Sequence, residues 1–176
     1  MKAKKYYIAF VLTLLLLPGY AQESSGKAQR LKKRVEQEQQ IEGLINSKTF
    51  VFVASRAIPQ GVGSVDLTSN TNYMEFTPEK IKSYMPFFGR AYSIDYGGDG
   101  GIKFEEKPDV YKIDTLKKGK GFEVNASVST TRDVYKLTLF VSPEGAATLT
   151  VTSNQRSTIS YHGEIVKQET KGENSK

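Results

Sequence analysis

Side chains able to bind a metal ion are concentrated in one segment, residues 95–106. Aligned with the twelve-residue calcium loop, Asp95 stands at position one, Asp99 at position five and Glu106 at position twelve, and such carboxylate oxygens suit Ca²⁺. Position three, however, is Gly97, which has no side-chain ligand. Because aspartate and glycine are also typical of tight turns, we favour a glycine-rich hairpin and keep calcium binding by Asp95, Asp99 and Glu106 as the weaker hypothesis.

Residues suited to catalysis are scarce. The chain has no cysteine and one histidine, His162, which excludes cysteine nucleophiles and multi-histidine metal sites. His162 follows no nucleophile-elbow motif and alternates onto the polar face of a predicted strand. Glu105 and Glu106 are adjacent, so on a strand their side chains point to opposite faces. We therefore predict no catalytic residues.

A block of aromatic residues, 84–92, is the best candidate for a binding site. Phe87 and Phe88 cannot both point into a core from a regular strand, so the chain bends there or presents one ring to solvent. At the open end of a barrel, such a bend would line a pocket in which Arg90 or Arg156 neutralises a ligand carboxylate. The predicted ligand-binding residues are Tyr84, Phe87, Phe88, Arg90, Tyr92, Arg156 and Tyr161. The alternative is a kinked connection whose rings plug the core, beside arginines exposed at the surface.

The elements that would position these residues are short strands. Runs rich in β-branched and aromatic residues recur too closely for helices to lie between them, which excludes a parallel sheet with crossovers. The predicted strands cover residues 50–54, 64–67, 73–76, 81–84, 91–96, 102–105, 110–116, 122–128, 134–141, 147–152 and 158–165. An antiparallel meander with one apolar face must close on itself or pack against another layer. We predict a mainly β fold, closed or half-closed as a lipocalin-like (calycin-type) barrel with one N-terminal helix packed against it, and an open sheet covered by that helix as second choice.

In one predicted hairpin the sequence also indicates which residues of the two strands pair. Between two apolar-polar alternating runs, Pro143 presets the first turn position and Gly145 can adopt the left-handed conformation of a three-residue loop with a bulge. A two-residue loop would instead set leucines opposite threonines. The predicted pairs are Ser142 with Ala146, Val141 with Ala147, Leu139 with Leu149, Leu137 with Val151 and Thr138 with Thr150.

The N-terminus has the features of a secretory signal peptide. Three lysines precede an apolar run from Tyr6 to Leu17, and small residues near Ala21 suit a signal peptidase. The run is shorter than the about 20 residues of a membrane-spanning helix, so no stable membrane span is expected after cleavage. Without cysteine, the chain has no lipid-attachment site and no disulfide. We predict an exported, soluble, periplasmic or secreted protein that is not a lipoprotein.

The remaining chain is divided by composition. We predict a signal peptide at 1–21, a linker and amphipathic helix at 22–47, an antiparallel β domain at 48–166 and a disordered charged tail at 167–176. The apolar stripe of the helix consists of Leu31, Val35, Ile41, Leu44 and Ile45. The dense basic run is Lys27, Arg30, Lys32, Lys33 and Arg34, which we interpret as a solvated helix face. No nucleic-acid partner is predicted.

Five blocks of the sequence carry a family resemblance. They are Lys48-Thr49-Phe50, Pro86-Phe87-Phe88-Gly89-Arg90-Ala91-Tyr92, Gly101-Ile102-Lys103-Phe104, Gly145-Ala146-Ala147-Thr148-Leu149 and Arg156-Ser157-Thr158-Ile159-Ser160-Tyr161-His162-Gly163. With them, residues 44–165 resemble the small exported bacterial proteins grouped as domain of unknown function 4251. The second aromatic place of the Pro86 block is usually tyrosine, and Phe88 stands there in this chain, which weakens a hydrogen-bonding role at that place. The resemblance implies export and a β-rich fold similar to a lipocalin-type barrel, and it implies no activity.

Three functions are compatible with these features. The first is a non-catalytic exported protein that binds a small amphipathic ligand at the barrel mouth. The second is a cell-envelope protein–protein interaction module with a filled core, whose exposed aromatics or basic helix contact a partner. The third, ranked last, is a hydrolase using Asp95, Asp99 or Glu106. An interior cavity of about 300 Å³ or more would favour the first function, and a filled core the second.

Overall fold

The structure, a computed structural model, describes residues 21–61, 63–92 and 100–168 of the chain. The chain forms two compact units, Met1–Glu36 and Gln37–Lys176. Within the described residues, the first unit holds the first part of helix α1, and the second holds the end of α1 and the β-sheet. The elements are α1 (Ala21–Asn46), β1 (Phe50–Pro59), β2 (Val65–Asp66), β3 (Tyr73–Phe76), β4 (Ile81–Met85), β5 (Ile102–Glu106), β6 (Val110–Thr115), a 3₁₀ turn (Lys117–Gly119), β7 (Phe122–Ser129), β8 (Val134–Val141), β9 (Ala146–Ser153) and β10 (Ile159–Val166).

The strands form one antiparallel sheet in the order β5-β4-β3-β1-β10-β9-β8-β7-β6, with β2 beside β1. Most neighbours are consecutive in the chain, but the first strand also pairs with the last one. This order curls nine strands into a strongly curved half-barrel. The predicted fold class, mainly β with a half-closed antiparallel barrel, is confirmed, and the described residues contain one α-helix.

The two edge strands explain why the barrel is only half closed. Strand direction alternates between neighbours, so in a row of nine strands the edges β5 and β6 run the same way. They therefore cannot complete an antiparallel ring. Residues 107–109, which join them, reach at most about 14 Å when extended. Strand β6 thus starts near the end of β5 and continues past it, with Pro108 buried at the corner.

The concave face of the sheet holds the core. Its strands alternate between buried apolar side chains and exposed polar ones, as in Tyr135 to Leu139 of β8. The rings of Phe104 on β5 and Tyr135 on β8 stack with centroids 5.0 Å apart, although five strands separate β5 from β8 in the sheet. The largest fully buried side chains are Tyr161, Phe50, Phe52, Phe76, Ile45, Met74, Ile81, Met85, Ile102, Leu137, Leu139 and Leu149.

The hairpin of β8 and β9 has the predicted register. Its pairs are Val141 with Ala147, Leu139 with Leu149, Leu137 with Val151 and Thr138 with Thr150. The Ser142 N–H donates to the Ala146 carbonyl over 2.8 Å, and Gly145 has φ +94°. The left-handed glycine that the turn required is therefore present, and the register prediction is confirmed.

Helix α1 departs from the predicted single stripe. Ile41 and Ile45 are buried in the core of the second unit, whereas Leu31 and Val35 in the first unit are 64% and 43% exposed. The residues from Gln22 onward are helical, so the helix extends over nearly all of the span predicted as linker and amphipathic helix. The alanines, glutamines and basic residues of this stretch are good helix formers, and they outweigh the interior Gly26 and Gly43.

Replacing a core leucine of the hairpin tests the two-faced sheet. Leu139 is fully buried, so Leu139→Ala is expected to lower the free energy of unfolding by about 2–5 kcal/mol through lost burial and a cavity. Its neighbour Thr138 is exposed on the outer face, and Thr138→Ala is expected to cost less than about 1 kcal/mol. Urea unfolding followed by circular dichroism measures both values. Equal losses for the two variants would contradict this assignment of faces.

Candidate functional site

Tyr161 anchors the aromatic block to the core. The inward alternation of β10 buries its ring completely, and its hydroxyl donates to the Pro86 carbonyl over 2.5 Å. Burial raises the pKa of Tyr161, and the nearby Arg156 opposes that shift only in part. The side chain is therefore a neutral hydrogen-bond donor at neutral pH, and its polar atom already has a partner within the chain.

Arg156 holds two parts of the chain together. Its guanidinium carbon lies 5.1 Å from the centroid of the Phe87 ring, a cation–π arrangement, and its Nη1 donates to the Gly100 carbonyl. Phe87 and Phe88 are partly buried against the core. The arginine predicted to bind a ligand carboxylate thus contacts the protein itself.

A short ladder links residues 90–92 to the turn before β10. The Ser157 N–H donates to the Arg90 carbonyl over 2.9 Å, and the Tyr92 N–H donates to the Gln155 carbonyl over 2.8 Å. Between them Ala91 lies opposite Arg156 in an isolated bridge, where a strand over 91–96 was predicted. Residues 93–96 lie outside the described residues. Alternation along this ladder puts Arg90 and Arg156 on opposite faces, so the two arginines do not form one anion site.

Two small residues of this region were missed by the sequence reasoning. The Ser157 hydroxyl accepts the Arg90 N–H over 3.1 Å. A Cβ at Gly89 would lie 2.5 Å from that hydroxyl oxygen and 2.6 Å from the Phe87 ring, so only glycine fits without a shift. The glycine before Arg90 in the aromatic block was the sequence feature that could have indicated the close approach of Gly89 to Ser157 and Phe87.

The other two predicted aromatics lie outside. Tyr84 is 47% exposed, and its neighbours Ser83 and Met85 are buried, so it is on the convex face, opposite to Tyr161. Tyr92 is 73% exposed. The structure therefore brings together Phe87, Arg156 and Tyr161, with Phe88 beside them, and separates Tyr84 from them.

On the convex face Tyr84 has partners that the sequence reasoning did not include. Its ring and that of Tyr73 on β3 are near-parallel, with centroids 6.1 Å apart and an interplanar angle of 22°. The Lys103 ammonium on β5 lies 4.3 Å from the Tyr84 centroid. We call Tyr73, Tyr84 and Lys103 the tyrosine face.

Charged residues flank the tyrosine face on β4, β5 and the turn before β4. Glu105 lies 2.7 Å from the Lys80 ammonium and 3.4 Å from the Lys82 ammonium. The hydrogen bond from Lys80, with the charges of both lysines, lowers the pKa of Glu105, and the charge of Glu105 raises the pKa of Lys82. These groups are solvent-exposed, so they stay charged and define an electrostatic pattern without adding much stability.

The calcium hypothesis stays a prediction. Asp95 and Asp99 lie outside the described residues, and Glu106 is exposed at the end of β5. Within the described part of the chain, no group of three His, Asp or Glu side chains is placed to hold a metal ion. His162 is exposed on β10, opposite Thr148 and Arg56.

One buried carboxylate was also missed. Asp133 accepts hydrogen bonds from the Ser153 hydroxyl at 2.5 Å, the Val134 N–H at 2.8 Å and the Asn154 N–H at 3.1 Å. These bonds tie the start of β8 to the end of β9. Because its two oxygens are used in this way, we assign Asp133 a structural role.

Fold and site together define a curled antiparallel half-barrel with an aromatic block bound to the core at one end. The model of the family described as "Domain of unknown function (DUF4251)" matches residues 32–165, so the chain belongs to that family. The crystal structure of a DUF4251 family protein from Bacteroides eggerthii is similar, with a TM-score of 0.57, 18% identity, and coverage of 74% of this chain and 87% of that one. No curated protein matches the chain. Within the described residues, no helix is both long enough and apolar enough to cross a membrane.

The buried tyrosines are expected to make stability fall at high pH. Burial raises the pKa of Tyr161 and of Tyr111 above their ordinary value of 10.0. The unfolded chain therefore loses these protons first, so stability is complete below about pH 10 and falls above it, by at most about 1.4 kcal/mol per pH unit for each tyrosine. Tyr161→Phe is expected to reduce that slope and to cost about 1–2 kcal/mol at neutral pH, because the Pro86 carbonyl loses its donor. Urea midpoints across this pH range measure both effects, Tyr92→Phe is the exposed control, and an unchanged slope in Tyr161→Phe would contradict the assignment.

Removing the Arg156 guanidinium is expected to loosen the aromatic block. Arg156→Gln loses the Phe87 contact and the charged hydrogen bond to Gly100, which together are worth about 1–2 kcal/mol. Amide hydrogen exchange of Tyr92 and Ser157 should become faster. Arg90→Gln is the matched control, since only the backbone of Arg90 bonds to Ser157. Equal effects of the two substitutions would contradict this account.

Proposed function

We propose that the protein is an exported, non-catalytic interaction module of the bacterial cell envelope, which contacts a partner protein through the tyrosine face. One observation carries the proposal: Tyr73, Tyr84 and Lys103 form an ordered aromatic and cationic cluster on the convex side of the sheet. Export is supported by the signal-peptide features of the N-terminus.

The inner face offers less for a ligand. Two of the polar groups predicted to bind one are engaged within the chain, since the Tyr161 hydroxyl is bonded to Pro86 and the Arg156 guanidinium to Gly100. A ligand carboxylate at this place would have to displace both contacts. Large aromatic side chains from strands across the sheet pack against one another on the concave face, as Phe104 and Tyr135 do. These facts favour the filled-core function over the small-ligand function.

The composition of the tyrosine face suits protein recognition. Tyrosine is enriched at the energetically dominant positions of interfaces because its large rigid ring buries much area and its hydroxyl hydrogen-bonds at the rim. The flanking Glu105, Lys80 and Lys82 supply alternating charges that orient a partner. A partner with an apolar centre and a charged rim of opposite sign matches this surface.

Site-specific photocrosslinking tests the proposal. The photoreactive residue p-benzoylphenylalanine replaces Tyr84 in the protein expressed in its own host, and in a second strain it replaces Phe140, an exposed aromatic on the convex face of β8. The expected result is a covalent adduct with one protein species at position 84 and none at position 140. The substitution Lys103→Glu in the crosslinking strain should reduce the adduct at least about tenfold, because it reverses a charge at the contact.

Two results would overturn the proposal. One is equal crosslinking at both positions, which indicates unspecific proximity. The other is no adduct at position 84 together with a retained molecule of a few hundred daltons in the native mass spectrum of the purified protein, which would restore the small-ligand function.

A further inference from the structure

The first unit carries a charged helical surface that the proposed function does not use. Residues 27–35 of α1, called here the basic helix segment, contain five basic side chains, and no acidic residue lies between Glu23 and Glu36. The described side chains of this segment are exposed.

Helix geometry arranges the segment in two strips. At 100° per residue, Ala28, Leu31 and Val35 lie within about 60° of one another on a single face. Leu31 is 64% and Val35 43% exposed. Lys27 and Arg34 border this apolar strip on one side and Lys32 borders it on the other, whereas Arg30 and Lys33 lie on the opposite side of the helix.

The ion pair of Lys32 with Glu36 does not prevent the lysine from binding an external anion. The Lys32 ammonium lies 4.0 Å from the Glu36 carboxylate, and both side chains are more than half exposed, at 80% and 56%. Ion pairs of this kind are weak and exchange readily. A dense anionic surface would therefore compete effectively for the lysine.

We propose that the basic helix segment lies on an anionic phospholipid surface, with Leu31 and Val35 between the headgroups and the flanking basic side chains on the lipid phosphates. An apolar strip bordered by lysine and arginine is typical of helices that lie in the membrane interface without crossing it. Anionic headgroups supply the complementary charge, and each basic side chain near them strengthens binding about fivefold. With only two large apolar residues, the attachment is reversible and salt-sensitive. It uses residues of the first unit and is independent of the tyrosine face.

Vesicle co-sedimentation tests the proposal with the protein expressed from its complete coding sequence. The probes are vesicles of phosphatidylcholine with about a third phosphatidylglycerol, and vesicles of phosphatidylcholine alone. Binding is expected to the anionic vesicles only, and about 0.5 M NaCl should abolish it, because the Debye length falls to a few ångströms. The triple variant Lys27→Gln, Lys32→Gln, Arg34→Gln, which removes the flanking charges, should bind about a hundredfold more weakly. Leu31→Ser should weaken binding at unchanged charge.

The control removes the same charge elsewhere. Lys107, Lys117 and Lys120 are exposed in the second unit, and their triple replacement by glutamine should leave binding within about threefold of the unmodified chain. Circular dichroism checks that each variant keeps its fold. An equal loss in both triple variants, equal binding to neutral vesicles, or a dimer that the Leu31→Ser substitution dissociates would each overturn the lipid assignment. Absence of crosslinking at position 84 would count against the proposed function and would not affect the lipid assignment. The two proposals are therefore tested independently.

Discussion

The pairing of β1 with β10 is the constraint on which the rest of the structure depends. Eight residue pairs join the two ends of the sheet-forming chain, and they turn two meanders into one curled sheet with a shared concave face. The seam contains a bulge, since the register shifts between Ala54 and Arg56. A Cβ at Gly163 would lie 1.9 Å from the Val53 carbonyl oxygen, so the close approach of the two backbones requires glycine there. Without the seam, each meander would leave its apolar row facing water.

Burial of that concave face determines which side chains are accessible to a partner. The inner positions are occupied by large apolar side chains, and the end of α1 adds Ile45 to the same core. Two polar groups that enter the core are paired, the Tyr161 hydroxyl with the Pro86 carbonyl and the Ser83 hydroxyl with the Ile102 carbonyl at 2.7 Å. Aromatic side chains with room for a partner therefore lie on the convex side, where Tyr84 packs between Tyr73 and Lys103.

The burial pattern of β4 shows why the site was harder to predict than the sheet. Its sequence Ile-Lys-Ser-Tyr-Met places Ile81, Ser83 and Met85 inside and Lys82 and Tyr84 outside. An aromatic residue normally outranks serine as a core residue. Here Ser83 is tolerated inside because its hydroxyl donates to the Ile102 backbone carbonyl on β5. The sequence of β4 alone does not predict this hydrogen bond. Without knowledge of that hydrogen bond, the sequence prediction assigned Tyr84 and Tyr161 to the same site. It also assigned Arg90 and Arg156 to that site, because the ladder that puts them on opposite faces was not predicted.

The sequence by itself determined most of the strands, their antiparallel order along each meander and the register of the β8–β9 hairpin. These depend on side-chain alternation and on turn residues such as Pro143 and Gly145, which act within a few positions of the chain. Only the tertiary structure decided that β1 meets β10, that Arg156 lies on Phe87 and that Leu31 stays exposed while Ile41 is buried. Each of these outcomes depends on which distant surfaces pack together and exclude water. The packing of the whole chain determines those contacts, and no periodic pattern within a local stretch of residues predicts them.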